Sequence, residues 1–300
     1  MRGFICLLAL SLALISCLSN AVPENEPTPI VRRLSYYCPS LHNTPGDAAV
    51  YVLDSGKPGA NLLLAAGTHG NETAGIEAAE LFIKNARVES GCVYVIPRLN
   101  ASGIPAGSRL VLSEHQGRPD PDLYTPPEGG SQYAGMEQRN INRSYPGTEN
   151  AGLAQKTAFA VMRLLVSENI DIAIDMHEAQ PGSDLAWVIV SNPKNVQIAA
   201  LAILDLDDRG ILMRLDASPS NMDGLSHKEW GNRTRAMSFL IETVNPNQAE
   251  NPLADYLNNP YYSLSRRAAI QLEAIRVLVS RCNEVLPAPL VFSGIPEYAE

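Results

Sequence analysis

Cysteine, histidine and aromatic residues are scarce in this chain: 5 Cys, 5 His and 6% Phe, Trp and Tyr in 300 residues. Two of the cysteines, Cys6 and Cys17, fall in the first twenty residues. Cys38, Cys92 and Cys282 remain, an odd number without Cys-x-x-Cys spacing, which excludes a disulfide framework and a thiolate zinc site. One bridge among them stays open in an oxidising compartment; buried inert thiols are the simpler reading. Positive charge is also in deficit, with 23 Lys and Arg against 32 Asp and Glu and a formal net charge of −9. A nucleic-acid partner, which would need a basic patch or stripe, is therefore not expected. No apolar run approaches the roughly 20 residues of a membrane-spanning helix. Gly-x-Ser-x-Gly, Gly-x-Gly-x-x-Gly and P-loop patterns are missing, so a serine nucleophile elbow and nucleotide cofactors have no support.

What is present is ordinary globular material, 45% hydrophobic and 18% charged, with a distinct beginning. Arg2 is the only charge in the first twenty residues, and an apolar run from Phe4 to Ile15 gives way to small and polar residues, which reads as an export signal over residues 1–21. Two processing sites compete there. Ser19-Asn20-Ala21 fits small-x-small cleavage, whereas Leu14-Ile15-Ser16-Cys17 is similar to a bacterial lipobox that would place a lipid anchor on Cys17. A periplasmic or extracellular location is expected. Residues 22–33, rich in Pro, Glu and Asn, read as a spacer, and residues 34–300 as a single catalytic domain.

Within that domain apolar runs and amphipathic stripes alternate. Asn61–Ala66 is a short continuous apolar run, as in a strand buried on both faces. Ile76, Ala79, Ile83 and Ala86 then mark one helical face, and Cys92–Ile96 another strand. A loop-rich excursion spans 101–152. Phe159, Met162, Leu165 and Val166 predict a helix, Ile170, Ile172, Ile174 and Met176 a strand, and 187–190, 211–215 and 237–242 further strands around a helix at 196–209. Ala268, Leu272, Ile275, Val279 and Cys282 form a helical stripe near the C terminus. The alternation predicts an α/β fold, a mainly parallel mixed sheet with helices on both faces.

In such sheets ligands bind beyond the carboxyl ends of the strands, where three features stand out. Gly67-Thr-His-Gly-Asn-Glu-Thr73 follows the first apolar strand, His177 follows the strand at 170–176, and Glu242 closes the apolar stretch Phe239-Leu-Ile241. His69 and Glu72, three residues apart across a turn, can converge on one ion with His177 as a third ligand. Two His and one Glu are a catalytic zinc set that leaves a position open for water. Glu242 is the candidate general base, with Glu178 as a rival. Asn142 and Arg143 offer an amide and a guanidinium fork for a substrate carboxylate.

Ala66-Gly-Thr-His-Gly-Asn-Glu-Thr-Ala-Gly75, Asn142-Arg143, Asp175-Met-His177 and Ile241-Glu-Thr243, in that order, resemble the zinc carboxypeptidase superfamily, most closely its succinylglutamate desuccinylase and aspartoacylase branch. The resemblance implies one zinc ion on His69, Glu72 and His177, a substrate carboxylate on Asn142 and Arg143, and Glu242 as base. It also implies a further arginine that stabilises the oxyanion, for which Arg139, Arg118 and Arg109 are candidates, Arg139 being nearest to the Asn-Arg pair. The activity implied is hydrolysis of an amide bond in a small substrate bearing a free carboxylate. Because the chain carries an export signal and ends in a helical stripe, a carboxypeptidase acting on peptides such as cell-wall peptides is the alternative, and a binding protein that has lost catalysis is a third reading.

Overall fold

A computed structural model describes residues 29–112, 135–249 and 254–298; the export signal, Cys17 and Arg118 lie outside them. The strands in chain order are β1 (Ile30–Arg33), β2 (Ala49–Asp54), β3 (Asn61–Ala66), β4 (Arg87–Ser90), β5 (Cys92–Ile96), β6 (Ile172–Ala179), β7 (Val188–Ser191), β8 (Arg214–Ala217), β9 (Met237–Val244) and β10 (Val291–Ser293). The helices are α1 (Thr73–Asn85), α2 (Leu153–Ser167), α3 (Val196–Asp207), α4 (Ser226–Arg233), α5 (Ala254–Leu257) and α6 (Leu264–Asn283). Eight strands form one mixed sheet in the order β1-β2-β5-β3-β6-β9-β7-β8, and β10 pairs with β4 in a small second sheet. The four central strands β5, β3, β6 and β9 run parallel, with antiparallel β2 and β7 beside them.

Side chains along a strand alternate between the two faces, and the core follows that alternation. Leu62, Leu64, Ile172, Ile174, Met176, Phe239 and Ile241 pack on one face against α1, α3 and α6. Leu63, Ala65 and Ala173 face the other way, towards α2 and Trp230 of α4. Leu62, Leu63 and Leu64 are all completely buried, which is why this strand reads as a continuous apolar run. Each such leucine contributes about 1.5–3 kcal/mol of transfer free energy.

Departures from the sequence reading have local causes. Ile30–Arg33, at the end of the proposed spacer, pairs with β2 as an edge strand. In α2 Met162 and Leu165 are buried and Phe159 packs against the same core, beside Ala154, Ala158 and Val161, while Val166 is 58% exposed; only Val166 departs from the expected face. Ile211 and Met213 are buried before β8 begins at Arg214, so the apolar residues there belong to the loop beneath the edge strand. Cys38, Cys92 and Cys282 are buried free thiols. Among the described residues no helix is long and apolar enough to cross a membrane.

Candidate metal centre and active site

The first strand of the parallel core ends in a turn that only a particular backbone allows. Gly67 has φ of 66°, a left-handed conformation that is costly for other residues, and the chain then passes Thr68 and His69 to Glu72 at the start of α1. Helix α1 approaches β6 very closely. A Cβ on Gly75 would lie 2.8 Å from the Met176 carbonyl oxygen, so glycine is required for Glu72 to come within reach of His177.

His69, Glu72 and His177 offer ligand atoms that all lie within 4.8 Å of one another, and all three residues are buried. Glu72 is the hub. Its Oε1 is 2.7 Å from His69 Nδ1 and its Oε2 is 2.8 Å from His177 Nδ1. Oε2 also accepts the backbone N–H of Glu178 at 3.1 Å. The outward nitrogens of both imidazoles meet acceptors as well: His69 Nε2 lies 3.1 Å from Asn140 Oδ1, and His177 Nε2 lies 2.9 Å from Asp175 Oδ2, although the latter is out of line for a full hydrogen bond. Asp175 is in turn held by the Thr68 hydroxyl at 2.9 Å and the Ser226 hydroxyl at 2.6 Å.

This donor set, with the oxygens behind it, could hold a divalent metal ion. Both Nδ1 atoms converge on a carboxylate, and each ring's second nitrogen faces an oxygen that fixes its orientation. With no ion present, the charges of the cluster are set by burial and by one another. Burial works against a charged carboxylate at Glu72, but the two imidazoles outweigh it and hold the group well below the usual range. Burial also disfavours a charged His177, yet Asp175 and Glu72 raise it well above the ordinary imidazole value. Burial lowers His69.

Glu242 stands opposite His177 in the parallel β6–β9 register, so the two side chains share a face. It is 7% exposed, and its Oε2 has no hydrogen-bond partner. Burial, opposed by His177 and reinforced by Glu72, pushes its carboxyl well above the usual carboxylate range. The rival Glu178 points through the other face. Its carboxylate accepts the backbone N–H of Ala74 at 2.9 Å and the Asn245 amide at 3.0 Å, and it forms a buried ion pair with Arg267 of α6.

Asn142 and Arg143 reach the same region through Asn140. The Oδ1 of Asn140 that meets His69 also accepts the backbone N–H of Asn142 at 2.9 Å, and Asn142 Oδ1 accepts the Ser226 backbone N–H at 2.7 Å. Arg143 Nη1 donates to the Asn142 carbonyl at 2.7 Å. Of the oxyanion candidates, Arg109 lies at the cluster: its Nη1 is 3.1 Å from Glu72 Oε1 and 3.0 Å from His69 Nδ1, and its side chain is 41% exposed. Arg139, nearest in sequence to the Asn-Arg pair, makes no described contact with the cluster; its Nε is buried without a partner. Asn140, Asp175, Thr68 and Ser226 had no role assigned from sequence. For Asp175 a signal existed, since it stands two residues before His177 on one strand and so shares its face.

A family model for the succinylglutamate desuccinylase/aspartoacylase catalytic domain matches residues 58–243. The N-alpha-acetyl-L-2,4-diaminobutyric acid deacetylase of Halomonas elongata is 30% identical over 121 residues, covering 40% of this chain and 28% of the deacetylase. Among solved structures, a metallo-carboxypeptidase from Burkholderia cenocepacia superposes with a TM-score of 0.59 at 13% identity, covering 87% of this chain and 66% of that one. A succinylglutamate desuccinylase/aspartoacylase from Rhodobacter sphaeroides gives 0.53 at 18% identity, covering 85% and 62%. The chain thus spans less than two thirds of the length of each of these proteins. The structural likenesses establish a carboxypeptidase-like fold; the match of the family model over more than half the chain, spanning the buried His-Glu-His cluster and Glu242, places this protein in the succinylglutamate desuccinylase/aspartoacylase family of hydrolases.

Proposed function

We propose that the chain is a zinc-dependent hydrolase that cleaves an amide bond in a small substrate bearing a free carboxylate, an N-acyl amino acid above all. The observation that carries this reading is the convergence of His69, Glu72 and His177 on one buried point with Glu242 on the same face of the sheet. The single ion they would hold supplies a Lewis acid for the scissile carbonyl and raises the acidity of water.

The residues of the chain do the rest. Glu242 takes the proton of the attacking water and delivers it to the leaving amine, a task that its burial suits, since a carboxyl raised above its ordinary range is a better proton acceptor near neutral pH. Arg109, half in solvent beside Glu72, stabilises the oxyanion of the tetrahedral intermediate. Arg143 binds the substrate carboxylate, with Asn142 and Asn140 tying its position to that of His69. Arg139 is a further carboxylate-binding candidate through its unpartnered Nε. The deacetylase relative acts on an N-acetylated diamino acid, which favours the N-acyl amino acid reading over cleavage of peptides. Export, and lipidation at Cys17 if the lipobox is used, complete the proposal and rest on residues 1–21.

Metal content of the purified mature chain, measured with amine release from a panel of N-acyl amino acids and peptides, tests the reading. One zinc per chain with turnover of N-acyl amino acids supports it, and preferential cleavage of peptides at their C-terminal residue moves the assignment to a carboxypeptidase. A folded chain that binds no metal leaves a binding protein.

A further inference from the structure

One carboxylate beside the site is absorbed by none of these roles. Glu137 lies in the short 3-10 turn Gly135–Arg139 that leads into Asn140. Its side chain is 43% exposed, and its Oε2 is 3.9 Å from Arg143 Nε. The same oxygen accepts the Asn140 side-chain amide at 2.8 Å, so the carboxylate is anchored there by the residue that also holds His69 and Asn142. A positive and a negative group, Arg143 and Glu137, therefore stand side by side next to the Asn140 amide that reaches His69.

That arrangement has a consequence for what can bind. A substrate carboxylate seated on Arg143 would be a second anion sharing one guanidinium with Glu137. Like charges so close oppose each other even in high dielectric, and the Asn140 amide opposes a swing of Glu137 into solvent. The repulsion disappears if the substrate brings a positive group of its own. We infer that the substrate of this site is zwitterionic in the part that Arg143 and Glu137 read: an amino acid residue with a free carboxylate for Arg143 and a side-chain ammonium for Glu137. Glu137 is then a specificity-determining residue, acting by attraction to the cation and by repulsion of uncharged and acidic competitors that carry only the carboxylate.

The inference rests on the amidase reading, and the test separates the two. Wild type and Glu137→Gln are compared on N-acetylated diamino acids of increasing length, from 2,3-diaminopropionate to lysine, each against its uncharged isostere, for example N-acetyl-ornithine against N-acetyl-norleucine. The expected result is a preference for the cationic member of at least one pair by about tenfold or more in kcat/KM for wild type, collapsing to within about threefold in Glu137→Gln. Glu137→Lys should turn the preference towards N-acetyl-aspartate or N-acetyl-glutamate. No cationic preference in wild type overturns the inference. Equal losses on both members of every pair in Glu137→Gln also overturn it, because they would mean that Glu137 serves only to hold Asn140. If no substrate is turned over, the amidase reading has failed, and calorimetric titration with the free diamino acids and their isosteres reads the same ratio without chemistry. Equal affinities there overturn the zwitterion site by itself.

Discussion

His177 and Glu242 are register partners on adjacent parallel strands, with both side chains on the face of the sheet that carries the His69–Glu72–His177 cluster. Glu178, one residue further along, occupies the opposite face and is bound to Arg267. Two neighbouring strand-end carboxylates thus have separate fates, one kept without a full set of partners and the other fully engaged.

Glu242→Gln is expected to retain the metal and to lower kcat by about 10²- to 10⁴-fold, the usual worth of a positioned general base. Glu178→Leu should act instead on stability, because it leaves the buried Arg267 unpaired at a cost of about 3–5 kcal/mol. Denaturant unfolding of both variants beside their kcat values checks the assignment. Loss of turnover at full stability in the Glu178 variant would exchange the two roles.

The oxygens behind the imidazoles are expected to govern metal retention. His69→Ala and His177→Ala should abolish stoichiometric zinc, whereas Asp175→Asn and Asn140→Ala should weaken its binding by about 10- to 100-fold, as outer partners of ligating histidines generally do. Competition with a chromophoric chelator measures this directly. Unchanged affinity in Asp175→Asn would show that the Thr68 and Ser226 contacts serve the fold alone.

The two arginines should separate kinetically. Arg143→Ala removes charge-assisted contacts to a ground-state carboxylate and is expected to raise KM by roughly 10- to 100-fold. Arg109→Met removes a donor used as charge develops and should lower kcat by about 10²- to 10³-fold. Steady-state kinetics on one N-acyl amino acid decides, and a kcat unaffected by Arg109→Met would return the oxyanion role to Arg139 or Arg118.

His227, buried in α4, provides a pH signature of stability. Burial is the largest influence on it and, only partly offset by Asp175, pushes its imidazole down to about 3, against about 6.5 in an unfolded chain. Between those values the unfolded chain binds a proton that the folded chain refuses. Stability therefore falls as pH drops below about 6.5, by at most about 1.4 kcal/mol per pH unit from this group, and the loss levels off below the folded value. Denaturant midpoints at pH 7 and pH 5 should differ less for His227→Gln than for wild type. Equal differences would mean that His227 titrates normally.

Much of this was legible before any coordinates, and for identifiable reasons. His69, His177 and Glu242 follow or close strongly apolar runs, so the strand-end rule picks them out without knowledge of pairing. Glu242 is preferred to Glu178 in the sequence because a carboxylate closing the apolar stretch Phe239-Leu-Ile241 is costly to bury without a partner or task. Side-chain parity supports that preference: Glu178 is out of phase with His177, whereas Glu242 is its register partner. Asn140 escaped because it lies in a stretch with no periodicity, where no face can be assigned. The edge strand β1 and the small β4–β10 sheet are short and largely exposed, so they carry no apolar alternation, and β8, expected at 211–215, is shifted to Arg214–Ala217 because the apolar residues before it lie in the loop. Helix α4, Ser-His-Lys-Glu-Trp-Gly-Asn-Arg, is too polar to announce itself, although it buries Trp230 and braces Asp175 and Asn142.

The parity of β6 also makes the chemistry a witness to folding. A slip of one residue between β6 and its neighbours would send every side chain of the strand to the opposite face, withdrawing His177 from Glu72 and offering Glu178 or Met176 in its place. A chain misthreaded in this way could keep much of its secondary structure and compactness yet assemble no metal site. Zinc stoichiometry would therefore report the fraction of molecules with correctly aligned central strands, a distinction to which circular dichroism and hydrodynamic size are nearly blind.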